Sequence, residues 1–231
     1  DRRQRQMCIR DRARALCSID PLRDWALEEL HRCSALPAVI GIKLHLATSG
    51  VDPRNDGHLE ALAEVVGAAA GSGHLVLLHL DPQLRGLDAD DIQHIVDRVI
   101  QPYPELRLVI AHLGGSGGYG DWTQEVFGRL LDWLDSEQSA GRARPGLRFD
   151  VSAIWLEEAS EGVPASRPDH AEALARDLAR AGPERLVFGS DWPVFEPGRY
   201  AALLAARVPL EGAFWDRVLA NRVDSRALEA D

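Results

Sequence analysis

Residues 106–115 read LRLVIAHLGG. An apolar run interrupted only by Arg107 stops on a histidine and then on two glycines. The run is too short for a helix and does not alternate, which is the pattern of a strand covered on both faces, as in parallel sheets. The same pattern recurs in ARALCSI (13–19), AVIGIKLH (38–45), LVLLHL (75–80), LRFDVSA (147–153) and RLVFGSD (185–191). Six strands are predicted. Between them, apolar residues at helical spacing predict helices over 25–33, 58–70, 90–100, 122–134 and 170–181, as in Ile92, Ile95, Val96 and Val99.

Lys43, His79, His112, Asp150 and Asp191 recur at roughly the length of one strand-helix unit. The expected fold is therefore α/β: a partial (β/α)8 TIM barrel with six of its eight strands, lacking strands 1 and 2. An open doubly wound sheet is the alternative, but no strand leads into GxGxxG at a helix start. The run GGSGGYG (114–120) has no following Lys-Ser/Thr pair and is expected to be a mobile loop. Residues 160–168 are expected as surface loop.

The first twelve residues, DRRQRQMCIRDR, carry five arginines and the only methionine of the 231-residue chain. Residues 2–11 are what CGT CGG CAG CGT CAG ATG TGT ATA AGA GAC encodes, a string resembling a transposase-type sequencing-library adapter. Residues 1–12 are accordingly expected to be non-native, and residues 13–231 to form a single barrel domain incomplete at its N-terminus. The net charge is −10, and the rest of the chain is more acidic still once the basic opening is set aside. An acidic body does not suit nucleic acid. No apolar run approaches a membrane span. Cys8, Cys17 and Cys33 are odd in number and lack CxxC spacing, which argues against a disulfide framework and a thiolate zinc site and favours a reducing cytoplasm.

In an α/β barrel the chemistry lies at the C-terminal strand ends. There LVLLH ends in His79, LVIAH in His112 and LVFGSD in Asp191, while GIKLH brings Lys43 and His45 to one face because strand side chains alternate. Neutral imidazoles with a carboxylate suit a divalent cation, zinc first and manganese as the alternative. Asp150 and Ser152 end the LRFDVS run, and Asp150 either reaches the rim or hydrogen-bonds backbone. His31, His58, His74, His94 and His170 are expected at the surface, and Glu157 and Glu158 in solvent. Lys43 is the single lysine among 26 basic residues. Lysine can lose its proton or be carboxylated where arginine cannot; the expected role is contact with a substrate carboxylate.

AHLGG (111–115) and FGSDWP (188–193), supported by CSIDPL, GIKLH and VLLH in this order and spacing, resemble the amidohydrolase-related metal-dependent hydrolases of the amidohydrolase superfamily. The resemblance runs from about residue 16 to residue 221. It implies that His79 and His112 lie at the metal site and that Asp191 binds the metal or serves as the base. The family also has an HxH pair ending its first strand, and this sequence contains no HxH. The chain as written is therefore expected to be without catalysis, its unpaired strand edges inviting aggregation.

The expected activity of the parent is metal-dependent hydrolysis of an ester, lactone or amide in a small carboxylated molecule. Asp191 would be the general base, and Lys43 and His45 would hold the substrate. Non-oxidative decarboxylation of an aromatic or muconate-type acid is one alternative, and a non-catalytic binding barrel the other. The expected partner is a small molecule, with neither nucleic acid nor membrane, and with homo-oligomerisation left open.

Overall fold

The computed structural model describes residues 14–81, 86–160 and 162–223. The adapter reading of residues 1–12 therefore lies outside the described residues. Six strands, β1 (Ala15–Ser18), β2 (Val39–His45), β3 (Leu75–His79), β4 (Arg107–Ile110), β5 (Leu147–Asp150) and β6 (Leu186–Val187), form one sheet in chain order. Every neighbouring pair is parallel. Chain order without reversal is the winding of a (β/α)8 barrel, whereas a doubly wound sheet reverses at a switch point. The fold is a partial TIM barrel, with β1 and β6 at the sheet's edges.

The helices longer than a single turn are, among the described residues, α1 (Ala26–Ser34), α2 (Asp56–Gly71), α3 (Ala89–Ile95, continued by a π-turn over Val96–Ile100), α4 (Asp121–Ser139), α5 (Pro168–Ala181), α6 (Pro197–Arg207) and α7 (Gly212–Ala220). The first five match the sequence expectation. The last two escaped it, because α6 buries only Tyr200 and Leu204 and α7 only Trp215 and Val218, too few for a periodic stripe.

Strand alternation divides the apolar side chains between two layers. Ile42, Leu44, Val76, Leu78, Leu108, Ile110, Phe149 and Val151 face outward into the main core, where they meet Leu62, Val66, Ile92, Val126, Phe127, Leu174 and Leu178 of the helices. Leu75, Val109 and Val187 face the concave side with Leu16, Ile40, Leu77 and Val223. Both faces are covered, which explains the continuous apolar runs. Gly41 permits the β2–β3 approach, since a Cβ there would sit 1.9 Å from the Leu75 carbonyl oxygen. On the concave side the C-terminal segment is tied across the sheet. Arg107 donates to the Gly73 and Val223 carbonyls at 3.2 and 2.8 Å, and Arg148 to the Arg222 carbonyl at 2.5 Å.

Two expectations are corrected. Cys17 on β1 and Cys33 on α1 form a disulfide, their Cα atoms 6.3 Å apart. The helix following β1 packs back over the β1–β2 pair, so cysteines 16 residues apart meet without any motif spacing. The glycine run is not a mobile surface loop: Gly114, Gly115, Gly117, Gly118 and Tyr119 are all buried. A Cβ at Gly115 would lie 2.4 Å from Thr123 Oγ1, so these glycines let backbone pack against α4. Among the described residues, no helix is long and apolar enough to cross a membrane.

Candidate metal centre

The concave-face residues at the C-terminal ends of β2 and β3 are in register: Lys43 pairs with Leu77 and His45 with His79. The His45 and His79 rings lie 4.2 Å apart between centroids, and His112 meets His79 edge-on at 4.7 Å. Beyond β3 the chain turns through a left-handed residue, Asp81, with φ 52°. The turn leaves its side chain buried beside the histidines. Donor atoms of His45, His79 and Asp81 all lie within 4.8 Å of one another.

Two atoms of this group are buried without a hydrogen-bond partner, His79 Nε2 and Asp81 Oδ1. Buried polar atoms are ordinarily paired, and leaving them bare costs on the order of 1–3 kcal/mol each. Imidazole nitrogens and a carboxylate oxygen gathered this closely are a ligand set for a divalent cation, so the residues present fit such an ion. Burial lowers the His79 pKa to about 2, and electrostatic interaction with the neighbouring His112, His45 and Lys43 acts in the same direction. Burial also lowers that of His45, against the opposing pull of Asp81. Both rings are thereby kept neutral, the form in which imidazole coordinates metal.

His112 is held differently. It lies just past β4, buried and left-handed at φ 51°, in the short turn Ala111–Gly114. Its backbone N–H donates to Asp150 Oδ1 at 3.0 Å, and its Nδ1 lies 2.8 Å from the Ser152 carbonyl oxygen and 3.0 Å from Ser152 Oγ. Asp150 therefore both reaches this rim and binds backbone. Every non-glycine residue at positive φ among those described (Asp81, His112, Leu113, Ala153 and Asp191) sits just beyond the C-terminal end of a strand. Such conformations cost on the order of 1–3 kcal/mol each and cluster at functional sites.

The sequence-predicted residues divide accordingly. His45, His79 and His112 are brought together, with Lys43 close enough to act electrostatically on both His45 and His79. Asp191 follows β6 at φ 58°, is exposed, and stands outside the three-residue donor group. Asp81 was missed, because reading each run only to its first polar residue stops at His79; the signal was an acidic residue two positions beyond it. His58, His74 and His170 are half-buried rather than at the surface, and His170 Nε2 is enclosed without a partner.

A groove of about 650 Å3 opens between the segments following β5 and β6, lined by Leu156, Glu158, Val194, Phe195, Arg199 and Tyr200. Burial raises the Tyr200 hydroxyl pKa, and the carboxylates of Asp150 and Asp191 push it further up. The groove floor thus lies within electrostatic reach of the rim.

The fold and the site can be set beside known proteins. No curated protein matches the sequence. Among solved structures, Metarhizium anisopliae IDCase in its apo form superposes with a TM-score of 0.55 at 16% identity, covering 93% of this chain and 63% of that one. Amidohydrolase 2 from Bifidobacterium longum subsp. infantis aligns at 17% identity with a TM-score of 0.48, covering 84% and 63%. The chain spans about 63% of the length of both. The first likeness bears on the fold alone. The sequence profile of the family described as Amidohydrolase matches residues 1–216, most of the chain. With imidazoles and carboxylates gathered at the strand ends of a partial TIM barrel, this match assigns the chain to the amidohydrolase family.

Proposed function

We propose that the protein is a metal-dependent hydrolase of an ester, lactone or amide bond in a small carboxylated molecule, its cation held by His79, Asp81 and His45 beside His112. The observation that carries this reading is the pair of buried, partnerless atoms, His79 Nε2 and Asp81 Oδ1, on two residues of a donor group whose ligand atoms lie within 4.8 Å of one another. Zinc suits this mixed nitrogen and oxygen set, with manganese as the alternative. A divalent cation, when bound, supplies Lewis acidity toward a scissile carbonyl and toward water.

The remaining work falls to the chain. Lys43, on the concave face one alternation below His45, offers its ammonium to a substrate carboxylate. Asp191, exposed just after β6, would take a proton from water entering from solvent. His112, buried and anchored through Asp150 and Ser152, keeps one ring edge toward His79. The groove beneath Val194 and Phe195 would take the apolar part of the substrate. Glu196, on its margin, is committed to the α6 cap, accepting from the backbone N–H groups of Gly198 and Arg199.

Metal uptake is testable on the chain itself. Dialysis against zinc followed by elemental analysis should recover one ion per chain, and His79→Ala should abolish it. Failure of the wild-type chain to retain zinc or manganese would overturn the reading. Turnover is proposed for the whole protein, whose activity should appear as acid release from ester, lactone or amide substrates. Decarboxylation of a carboxylated substrate is the second reading, favoured by the superposition on IDCase; carbon dioxide release in place of hydrolysis would establish it.

A further inference from the structure

We propose that Asp150 and Ser152 are positioning residues that fix the tautomer of His112, keeping the proton on Nδ1 and presenting a bare Nε2 to the reaction rim. The inference rests on reading this rim as the reaction site, but its decisive measurement does not.

A carbonyl oxygen has no hydrogen to give. Because His112 Nδ1 lies 2.8 Å from the Ser152 carbonyl oxygen, the hydrogen in that contact belongs to Nδ1. The Ser152 side chain enforces the same choice. Its hydroxyl donates to Asp150 Oδ1 at 2.5 Å, so the oxygen turns a lone pair, not a proton, toward Nδ1 at 3.0 Å. Two acceptors therefore face one ring nitrogen, and a neutral imidazole answers by carrying its only proton there.

Asp150 organises both acceptors. Its Oδ1 receives the Ser152 hydroxyl, the Ser152 backbone N–H at 3.0 Å and the His112 backbone N–H at 3.0 Å. One carboxylate oxygen thus ties the end of β4 to the end of β5 and sets the ring against the backbone that reads it. The arrangement has no slack. His112 and Ser152 are 6% and 4% exposed, and a Cβ on Gly189 after β6 would come within 3.1 Å of Ser152 Cβ. Water cannot easily replace Ser152 as partner. The consequence is an imidazole whose Nε2 is always an acceptor, able to take a proton or a cation and unable to donate one in its neutral form. Outer hydrogen bonds of this kind govern ring orientation and basicity where histidines act on metals or protons.

The test is long-range 1H–15N correlation spectroscopy of His112 in the metal-free, 15N-labelled full chain, in mildly alkaline solution where free neutral imidazole prefers the proton on Nε2. The expected result is a protonated Nδ1 and a pyridine-type Nε2 for His112. Asp150→Ala should move the ring toward the Nε2–H form, Ser152→Ala should move it less, and Ser152→Thr should restore the wild-type spectrum. A proton on Nε2 in the wild type, or an unchanged tautomer in a folded Asp150→Ala variant, overturns the proposal. Should Asp150→Ala not fold, the wild-type spectrum and the Ser152 pair still decide it. In the whole protein, Ser152→Ala should lower kcat about 10–100-fold with KM unchanged. A wild type that turns nothing over but shows the expected tautomer would sink the functional reading and leave this one standing.

Discussion

His45 and His79 occupy the same register position on adjacent parallel strands, and their rings pack 4.2 Å apart. Two imidazoles at that distance cannot both carry charge cheaply, and burial holds them neutral. Asp81, delivered from beyond β3 by a left-handed turn, supplies the negative charge that two neutral ligands lack.

The two candidate carboxylates should therefore separate by experiment. Asp81→Asn is expected to weaken zinc binding at least tenfold, about 1.4 kcal/mol, in calorimetric titration of the chain. Asp191→Asn, which alters an exposed residue outside the donor group, should leave that affinity unchanged while abolishing turnover of the whole protein. The opposite ranking of affinities would move the metal to Asp191.

Acid should destabilise the metal-free protein through His79. The unfolded chain protonates this histidine near pH 6.5, whereas the folded chain resists until about pH 2. Between these values the unfolded state binds more protons, so stability falls as pH falls, by at most about 1.4 kcal/mol per pH unit. Above the unfolded pKa the effect vanishes. Urea unfolding over a pH series should show this slope in the wild type and a shallower one in His79→Gln.

Among the described residues, Glu137 and Arg144 form the ion pair most enclosed by protein, at 3% and 5% exposure, with Arg144 Nη2 2.6 Å from Glu137 Oε2. The same guanidinium donates to the Gln101 carbonyl at 2.9 Å and lies over Trp133, joining α4 to the end of α3 just before β5. Glu137→Ala strands Arg144 without a counter-ion and should cost on the order of 3 kcal/mol. Denaturant titration reads this directly, and a loss near zero would show that solvent reaches the pair.

Breaking the Cys17–Cys33 bond releases a loop of 16 residues separation. Loop-closure entropy puts its loss at about 3 kcal/mol. Unfolding midpoints of the oxidised chain with and without a reductant should differ accordingly, and the double variant Cys17→Ser/Cys33→Ser should match the reduced chain and ignore the reductant.

The strands and five helices were legible because each apolar run reports burial on both faces, and each helix buries a wide stripe. His79, His112 and His45 were legible for the same reason, as the polar residues at which the runs stop. What the linear pattern could not carry is direction after the strand ends. Asp81 follows another apolar residue, Leu80, and only its positive φ returns it to the site. The disulfide was equally hidden, since it depends on α1 folding back over β1. The glycine run was misjudged because glycine serves close packing as readily as mobility, and one of its packing neighbours, Val163, is distant in the chain.

The clasp of Arg107 on the Val223 carbonyl joins partners 116 residues apart. At a synthesis rate of roughly 5–20 residues per second, the ribosome needs roughly 6–23 s to make what lies between them. During that interval the concave end of β4 has emerged without the backbone that later covers it. A nascent chain would thus hold Leu75 and Val109 open to other molecules until Val223 has been made, which makes this patch the natural one for a chaperone to shield.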